Sequence, residues 1–313
     1  MTQTPAISIC IATCRRAERL TRLLFDLAAQ TLRPFEIVVV DNDEQETAAP
    51  VVEAFRAEHP ALSIIYGKQA AERNIATTRN ESVHLASGEW LAFIDDDERA
   101  GPRWLEQLYD CARQYDAGGV LGPVVPVLPD TAQDWIRAGN FYDFPRTATG
   151  NPVADNHLRF GNVLLRAEPV KALPGPFDRS YGLRTGEDGD LLLRMRANGE
   201  KIIWCDEAVV EEPVAPDRLS LKWLMQRALS GGQEYARKHL GGRYGALTLA
   251  DRVTFFLNAL GKLLLALLLV PPTLVLGRHR SAQWLIAACA NAGKLTVFWG
   301  WQYDEYARGS APP

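Results

Sequence analysis

The chain has 313 residues, of which 47% are hydrophobic and 23% are charged, and its net charge is −4 at pH 7. This composition is typical of a globular α/β protein with room for one large domain and an appendage. Since there is no strongly basic field, we expect no nucleic-acid partner. The five cysteines are scattered and odd in number, which favours reduced cytosolic thiols over a zinc site or a disulfide framework. The N-terminal segment lacks the basic and long apolar parts of a signal peptide, so we expect the protein on the cytosolic side.

The first half of the chain alternates continuous apolar runs with segments whose apolar residues recur at helical spacing. The apolar runs are typical of strands that are buried on both faces. They occupy residues 6–12, 36–43, 62–67 and 89–97, and the helical segments occupy 16–30, 51–59, 74–88 and 101–115. This alternation predicts an α/β fold with a mostly parallel sheet flanked by helices. Gly88 is expected to close the third helix at its C′ position, and Pro102 to open the fourth at N1.

The pattern is less regular up to residue 245. Residues 117–128 and 200–214 resemble extended segments, whereas residues 129–160 show no clear period. A helix is predicted from near Glu187 to a stop at Gly199. We expect the main domain to cover residues 1–245 and a distinct region to cover 246–313.

This C-terminal region is strongly apolar. From Val253 to Leu276 the only charged residue is Lys262, and a second apolar stretch covers residues 284–301. The uncharged run 263–276 is shorter than the roughly 20 residues that a spanning helix needs, and the basic loop 277–280 would lie outside if both stretches crossed. We expect a re-entrant or interfacial helical hairpin that associates with a membrane, with the arginines of that loop near anionic head groups. A buried hairpin of a soluble domain is the alternative.

Three consecutive carboxylates, Asp95, Asp96 and Asp97, follow the apolar run Leu91–Ile94. At about 5 Å and an effective dielectric constant near 20, each pair repels by roughly 3 kcal/mol, so a positive group should offset them. Helix capping does not explain them, because the next predicted helix begins near Pro102. Carboxylate oxygens suit Mg²⁺ or Mn²⁺, which usually bridge one or two carboxylates to substrate phosphates. The triplet predicts a metal site at the carboxyl end of a strand, where ligands bind in such sheets.

A second acidic group consists of Glu187, Asp188 and Asp190. Acids in the first turn of a helix complement the helix dipole, which is a purely structural explanation. They could equally supply a general base near a metal-bound leaving group. The residues alone leave both possibilities open.

Polar residues that could form a nucleotide pocket occur at two further points. Asp41 and Asn42 end the second predicted strand, and Arg79 and Asn80 lie in the helix before the acidic strand. A nucleotide pocket needs a polar group for the base and a cation near the diphosphate. The chain has no GxGxxG, Walker A, HExxH or GxSxG motif, which argues against a dinucleotide dehydrogenase, P-loop kinase, zinc protease or serine hydrolase.

In this order the motifs resemble the family 2 glycosyltransferases, which have the GT-A fold, over roughly residues 6–240. The likeness rests on ISICIATCRRAERLTRLLFDLAAQ, EIVVVDND, NIATTRNESVHLASGEWLAFIDDDE, GEDGDLLLRM and EEPVAPDRLSLKWLMQRALSGGQEYAR. It implies an inverting, Mn²⁺- or Mg²⁺-dependent transfer from a nucleotide-sugar, such as UDP-glucose, to a lipid-linked saccharide acceptor. The product would be an exopolysaccharide or cell-surface glycan, and the enzyme would be peripheral or monotopic on the cytoplasmic side of the inner membrane.

The resemblance also implies roles on the donor side of the site. Thr13 and Asp41 would contact the nucleoside, and Arg79 the nucleotide. The residues Asp95–Asp97 match the DXD motif of the family and would contact the nucleotide-sugar. Within them Asp95 would face the ribose or sugar, and Asp97 would be the direct metal ligand.

On the acceptor side, Asp188 matches the catalytic base of the family, and Glu187 would position the acceptor. Glu211 stands where relatives often place a metal-binding histidine, and it could ligate the metal in its place. Gln226 and Arg227 lie where some relatives keep a basic or amide group near the diphosphate. Two other classes remain as alternatives: a metal-dependent nucleotidyltransferase, which would bind a nucleoside triphosphate, and a catalytically inactive nucleotide-sugar-binding scaffold.

Overall fold

The structure, a computed structural model, describes residues 7–33, 35–69, 72, 74–181 and 186–301. Its strands are β1 (Ile7–Thr13), β2 (Phe35–Asp41), β3 (Ser63–Lys68), β4 (Trp90–Ile94), β5 (Arg99–Ala100), β6 (Gly119–Leu121), β7 (Val124–Val127), β8 (Asn162–Arg166), β9 (Ile202–Trp204) and β10 (Val210–Pro213). Its α-helices are α1 (Ala17–Ala28), α2 (Ala49–Glu58), α3 (Ile75–Leu85), α4 (Trp104–Gln114), α5 (Asp134–Arg137), α6 (Ala167–Lys171), α7 (Glu187–Ala197), α8 (Leu221–Leu240), α9 (Leu249–Thr273) and α10 (Arg278–Thr296).

A seven-stranded sheet in the order β3-β2-β1-β4-β8-β6-β9 forms the centre of the molecule. All neighbouring strands run parallel except β8, which is antiparallel to both β4 and β6. The predicted α/β fold with a mostly parallel sheet is therefore confirmed. Register places the carboxyl ends of β1, β2 and β4 at one edge, since Thr13 pairs with Asp41 and Cys10 with Phe93.

Apolar residues bury both faces of this sheet. On one face Ile9 and Ile11 pack with the leucines of α1 and with residues of α2 and α4. On the other face Cys10 packs in a second cluster with residues of α3, α6 and α7. Successive strand residues point to opposite faces, so a continuous apolar run is what a strand covered on both sides requires.

A smaller sheet in the order β5-β10-β7 lies beside the acidic segment. Strand β10 runs parallel to β7 and antiparallel to β5, which begins directly after the four acids at 95–98. Residues 117–128, predicted as one extended segment, thus divide into β6 of the large sheet and β7 of the small one. This division brings β10 close to Asp95–Asp97.

Two predicted helix boundaries are wrong. Helix α3 ends at Leu85, and Ala86 is already extended, so Gly88 is not a left-handed cap. A Cβ on Gly88 would lie 2.7 Å from the backbone nitrogen of Ser8, so the glycine is needed for close approach of two chain segments. Helix α4 begins at Trp104 rather than at Pro102.

The predicted stop after α7 is confirmed. Gly199 has a φ of +94° and follows the end of α7 at Ala197 by two residues. The left-handed conformation costs glycine nothing, and this is the usual way in which a helix ends.

Helices α8, α9 and α10 form the C-terminal part of the described chain. Gly232 of α8 faces the backbone of α10 so closely that an added Cβ would overlap the carbonyl oxygen of Ala290. Gly293 of α10 meets the carbonyl oxygen of Leu229 in the same way. Helix α10 therefore packs tightly on α8, across the predicted boundary between residues 245 and 246, and that boundary stays a prediction.

Helix α9 continues through a 3₁₀ turn to Leu276, which gives a helix of 28 residues from Leu249. Its length and composition would allow it to cross a membrane, and only 11% of its most apolar 18-residue window is buried. The uncharged run 263–276 therefore understates the length of this apolar helix, which begins well before residue 263. The alternative of a hairpin buried within a soluble domain does not hold for α9, whose residues Leu264 and Leu268 are 58% and 71% exposed.

Candidate active site

The acidic segment lies at the carboxyl edge of the large sheet, where the register brings β1 and β4 together. The hydroxyl group of Thr13, the last residue of β1, donates a hydrogen bond to Asp96 Oδ2 at 2.8 Å. Asp96 is buried, and burial, only partly offset by Arg16, raises its pKa to about 6. Thr13 and Asp96 thus fix the course of the segment, whereas Asp95 leaves 49% of its side chain exposed.

Arginines provide the positive charge that the acidic triplet requires. Oδ2 of Asp97 accepts hydrogen bonds from Arg16 at 3.2 Å and from Arg19 at 3.1 Å. Arg218 reaches the same oxygen at 3.8 Å, and Arg16 also bonds Asp96 Oδ1 at 2.9 Å. Three guanidinium groups therefore converge on one carboxylate.

These arginines are site residues that were not predicted from the sequence. Arg16 and Arg19 were visible in the motif CRRAER directly after β1, and their spacing of three places them on one side of a helix start. Arg218 lies in the 3₁₀ turn Pro216–Arg218 before α8, far from Asp97 in sequence, so no local pattern connects them.

Arg79 joins the acidic segment to the second acidic group. It donates to Glu187 Oε1 at 2.6 Å and to Asp95 Oδ1 at 3.3 Å, and only 11% of its side chain is exposed. Its guanidinium also lies 5.2 Å from the ring centroid of Phe160, an aromatic support that fixes its position. The structure thus brings Arg79, Asp95 and Glu187, all named from the sequence, into one site.

Asp188 is held as an ionised carboxylate. Its oxygens accept hydrogen bonds from the backbone N–H groups of Phe160 at 3.1 Å and Gly189 at 2.6 Å. Burial raises its pKa, but Arg79, Lys238 and these N–H groups outweigh burial and hold the pKa below its usual value. Asp188 is therefore charged at neutral pH and available to accept a proton.

Glu187 has the opposite character. Burial and the neighbouring charge of Asp188 raise its pKa to about 7, although Arg79 opposes this. Two adjacent carboxyl groups whose pKa values are driven apart are typical of sites in which one group is a base and the other is not. Asp190, the third acid, is wholly buried between Arg194 and Arg243, each at 2.8 Å, so its role is structural.

Glu212, rather than Glu211, faces the acidic segment. The carboxylate of Glu212 pairs with Arg218 at 2.5 Å, and the charges of Asp97 and Asp95 add to burial in raising its pKa. Glu211 is exposed and pairs in register with Arg99 on β5. Neighbouring strand residues point to opposite sides, so Glu212, and not the predicted Glu211, is the acid of β10 that faces the acidic segment.

Asp41 is wholly buried, and donors of its own chain occupy its carboxylate. Oδ1 accepts from the N–H of Asp43 at 3.0 Å, and Oδ2 accepts from the N–H of Ala48 at 2.9 Å and the hydroxyl of Tyr66 at 3.3 Å. The structure therefore does not present Asp41 for the predicted direct contact with a nucleoside. It orders the loop after β2 instead, where Asn42 bonds the carbonyl of residue 72 at 2.9 Å.

Two further charged residues, Glu98 and Arg159, were not identified from the sequence. Glu98 is buried and accepts the N–H of Asp95 at 3.0 Å, and burial together with the charge of Asp95 raises its pKa well above the usual range. Burial, with a smaller contribution from the positive charge of Arg227, lowers the pKa of Arg159 to about 10, although the charges of Glu98, Glu212 and Asp188 oppose this. Arg227 of α8 thus lies at the border of the site.

The carboxylates fit a hard divalent cation in part. Among the residues that the structure describes, no group of three or more His, Cys, Asp or Glu side chains forms a ready metal cluster. Mg²⁺ and Mn²⁺ do not need one, because they take water and phosphate oxygens beside one or two carboxylates. The half-exposed carboxylate of Asp95 and the acids Asp97 and Glu212 are donors of that kind.

The comparisons with known proteins decide the family. Residues 8–172 match the family model described as Glycosyl transferase family 2. The chain belongs to this family. This glycosyltransferase is also 36% identical over 242 residues to the succinoglycan biosynthesis protein ExoM of Rhizobium meliloti, an alignment that covers 75% of each chain. It is 25% identical over 244 residues to the glucosyl-dolichyl phosphate glucuronosyltransferase of Haloferax volcanii, covering 72% of this chain and 74% of that one.

Solved structures show the same fold. A mannosyltransferase, PcManGT from Pyrobaculum calidifontis in complex with GDP-Man and Mn²⁺, aligns with a TM-score of 0.63 at 18% identity over 94% of this chain and 88% of that chain. TarS 1–349 of S. aureus in complex with UDP aligns with a TM-score of 0.51 at 17% identity over 95% and 92%. At these identities the likeness concerns the fold alone, which is the GT-A fold. Family membership selects the glycosyltransferase over the nucleotidyltransferase.

Proposed function

We propose that this enzyme moves a hexose from a UDP-sugar such as UDP-glucose to a lipid-linked saccharide during exopolysaccharide or cell-surface glycan synthesis. The observation that carries the proposal is the bridge by Arg79, which joins Asp95 of the DXD segment to Glu187 beside the base. Donor-side and acceptor-side acids thereby lie in one site. The similarity to a succinoglycan biosynthesis protein supports the product class, and the fold shared with a UDP-bound structure is compatible with the donor.

On the donor side, Asp95 and Asp96 with Thr13 and Arg79 would contact the nucleotide-sugar. Asp97, with Glu212 near it, would hold Mn²⁺ or Mg²⁺, which when bound supplies Lewis-acid stabilisation of the leaving diphosphate. The guanidinium groups that now converge on Asp97 are suited to pairing with the oxygens of that diphosphate. Asp41 would act indirectly, by ordering the loop beside the nucleoside.

On the acceptor side, Asp188 would take the proton of the acceptor hydroxyl group. The acceptor oxygen forms a bond to the anomeric carbon from the face opposite the leaving group, while the bond from that carbon to the diphosphate breaks. A single displacement inverts the configuration. Glu187, whose pKa is raised to about 7, would position the acceptor, and its partial ionisation at neutral pH would reduce its repulsion of Asp188.

The proposed location is the cytosolic face of the inner membrane. The exposed apolar side chains of α9 would associate with lipid, and a lipid-linked acceptor would be met at the same surface. This places the reaction where its acceptor is anchored.

Release of nucleoside diphosphate from a panel of nucleotide-sugars tests the proposal. Membrane fractions with lipid-linked acceptors would be assayed with and without Mn²⁺. We expect metal-dependent release from a UDP-hexose that falls at least about 100-fold in Asp188→Asn, since a general base contributes 10²–10⁴-fold, and is lost in Asp97→Ala.

Asp110→Asn is the matched control, because it makes the same substitution at an exposed position of α4 that is not among the site residues described above. Its activity should equal that of the wild type. Unchanged turnover in Asp188→Asn, or tight binding of nucleotide-sugar without turnover in the wild type, would contradict the catalytic proposal and favour an inactive scaffold.

A further inference from the structure

We propose that a cavity between α5 and the start of α10 binds the phosphate group of the lipid that carries the acceptor. The cavity has a volume of about 470 Å³. It is lined by Gln133, Asp134, Trp135, Ala138, Arg278 and His279. The inference deepens the proposed function and rests on it, because it names the chemical class of the acceptor's anchor and the residues that would hold it.

Contacts between two distant parts of the chain build the walls of this cavity. The guanidinium of Arg278 lies 5.8 Å from the ring centroid of Trp135. Gln283, one turn further along α10, donates to the carbonyl of Gly139 at 3.2 Å. The loop that follows β7 is thereby attached to α10, and the cavity lies at their junction.

The charge of the cavity suits a single phosphate group. Arg278 is exposed, and within the described part of the chain it forms no ion pair. The sequence has no acidic residue from 253 to 301, so nothing on the hairpin itself competes for this cation. Asp134 is the one acid among the residues that line the cavity, and its negative charge would repel a ligand with several phosphate groups. Arginine presents a planar fork of donors that matches phosphate oxygens.

The surface beside the cavity suits the apolar part of a lipid. Leu274, Val275 and Leu276 come just before Arg278 in the chain, and they are 58%, 90% and 65% exposed. A ligand with an anionic head and a hydrocarbon chain could place the head in the cavity and the chain along these residues. A soluble sugar phosphate would leave the apolar residues uncovered.

A continuous series of contacts leads from the cavity to the catalytic carboxylates. The rings of Trp135 and Phe141 lie 5.5 Å apart between centroids. The adjacent Tyr142 donates to the carbonyl of Arg218 at 2.9 Å, and Arg218 pairs with Asp97. The segment 134–142 therefore contributes a residue to the wall of the proposed lipid site and another to the support of the donor site.

Vesicle flotation with the purified full-length protein tests the inference without a donor. Phosphatidylcholine vesicles would contain polyprenyl phosphate, or polyprenol as the uncharged match. We expect the wild type to bind polyprenyl phosphate vesicles more tightly than polyprenol vesicles, and Arg278→Gln to weaken that preference roughly tenfold, which corresponds to about 1.4 kcal/mol. Arg280→Gln is the matched control, because Arg280 lies on the same turn but does not line the cavity.

Three outcomes would overturn the inference. Equal losses in both variants would mean that only general surface charge matters. Binding to vesicles in which phosphatidylglycerol replaces polyprenyl phosphate, if it is as tight as binding to polyprenyl phosphate vesicles, would also mean that only general surface charge matters. Competition by inorganic phosphate as strong as by the lipid would identify a free phosphate site. The proposed function fails separately, if the wild type releases no diphosphate from any nucleotide-sugar, and the flotation result does not depend on that release.

Discussion

At the scale of single residues, side-chain direction on β10 determines which acid could take part in the proposed metal site. Glu212 pairs with Arg218 and is close enough to Asp97 for that charge to raise its pKa, whereas Glu211 interacts with Arg99. We expect Glu212→Gln to raise the Mn²⁺ concentration needed for half-maximal activity roughly tenfold, the loss typical when a group that orients or supports a metal ligand is removed. Titration of sugar transfer against Mn²⁺ measures this directly.

Glu211→Gln is the control for that titration, since the two variants remove the same charge from neighbouring positions. It should leave the Mn²⁺ dependence unchanged, because Glu211 is exposed on the other side of the strand. A larger effect from Glu211 than from Glu212 would refute the corrected placement.

The sequence identified the acidic residues of the site better than their surroundings. Asp95–Asp97 and Asp188 stand at a strand end and a helix start, positions that apolar patterning reveals. The positions of Glu212 and of Arg218, the partner of Asp97, are set by the small sheet. The apolar pattern of residues 117–128 does not show that this second sheet exists. Without that sheet, nothing indicates which face of β10 is turned toward the site. Long-range contacts of this kind leave no local signal.

At the scale of elements, α8 contributes to the charge of Asp188, the proposed base, through Lys238. Lys238 is buried, pairs with Glu234 at 2.7 Å, and together with the stronger effect of Arg79 lowers the pKa of Asp188. Removing the positive charge in Lys238→Met should raise that pKa. Since the proposed base must be ionised to accept a proton, activity would then be lost at a higher pH as the solution is acidified. The pH profile of kcat/KM measures the shift of this acidic limb.

Lys222→Met is the matched control for this profile, because Lys222 is exposed on the same helix. Its acidic limb should coincide with that of the wild type. If Lys238→Met lowers kcat/KM by the same factor at every pH, Lys238 acts on structure alone and its charge does not tune the base.

Adjacent glycines in α8 offer a second test at this scale. Gly232 meets the carbonyl oxygen of Ala290, while nothing lies near an added Cβ on Gly231. Gly231→Ala should stabilise the protein by up to about 1 kcal/mol through helix propensity. Gly232→Ala should destabilise it by about 1–3 kcal/mol, the usual cost of overpacking. Thermal or denaturant unfolding of both variants should give opposite signs, and equal signs would contradict the close packing of α8 on α10.

Most strands of the large sheet could be predicted from the sequence, and the exception is β8. The strands β1 to β4 and the helices between them were predictable, because each buried strand and amphipathic helix has its own period. Strand β8 was not predicted: Asn162–Arg166 follows the segment 129–160, which has no clear period, and it inserts antiparallel between β4 and β6. The first residue of β8, Asn162, helps to hold the strand in place, because its side-chain amide donates hydrogen bonds to the carbonyls of Pro123 at 3.0 Å and Ala208 at 2.6 Å.

At the scale of the whole molecule, the exposed face of α9 is the feature that a folded domain alone does not explain. Apolar residues recur over the helix from Leu249 to Leu276, and little of it is buried. The sequence showed this apolar character but not the length, because the helix includes polar residues such as Asn258 before the uncharged run. An exposed apolar patch of this extent is typical of a surface that contacts lipid or protein.

Replacing exposed leucines of α9 by aspartate should therefore release the enzyme from membranes. Leu264 and Leu268 are 58% and 71% exposed and lie one turn apart, and each aspartate at the centre of a bilayer would cost about 3 kcal/mol. We expect the wild type in the membrane fraction after a high-salt wash, and the variant with Leu264→Asp and Leu268→Asp in the soluble fraction. Phe25→Asp, at a 50% exposed position on α1, is the control and should stay with the membrane. Since salt screens surface charge but not apolar burial, removal of the wild type by salt alone would show that the basic turn at 278–280, rather than α9, holds the enzyme at the membrane.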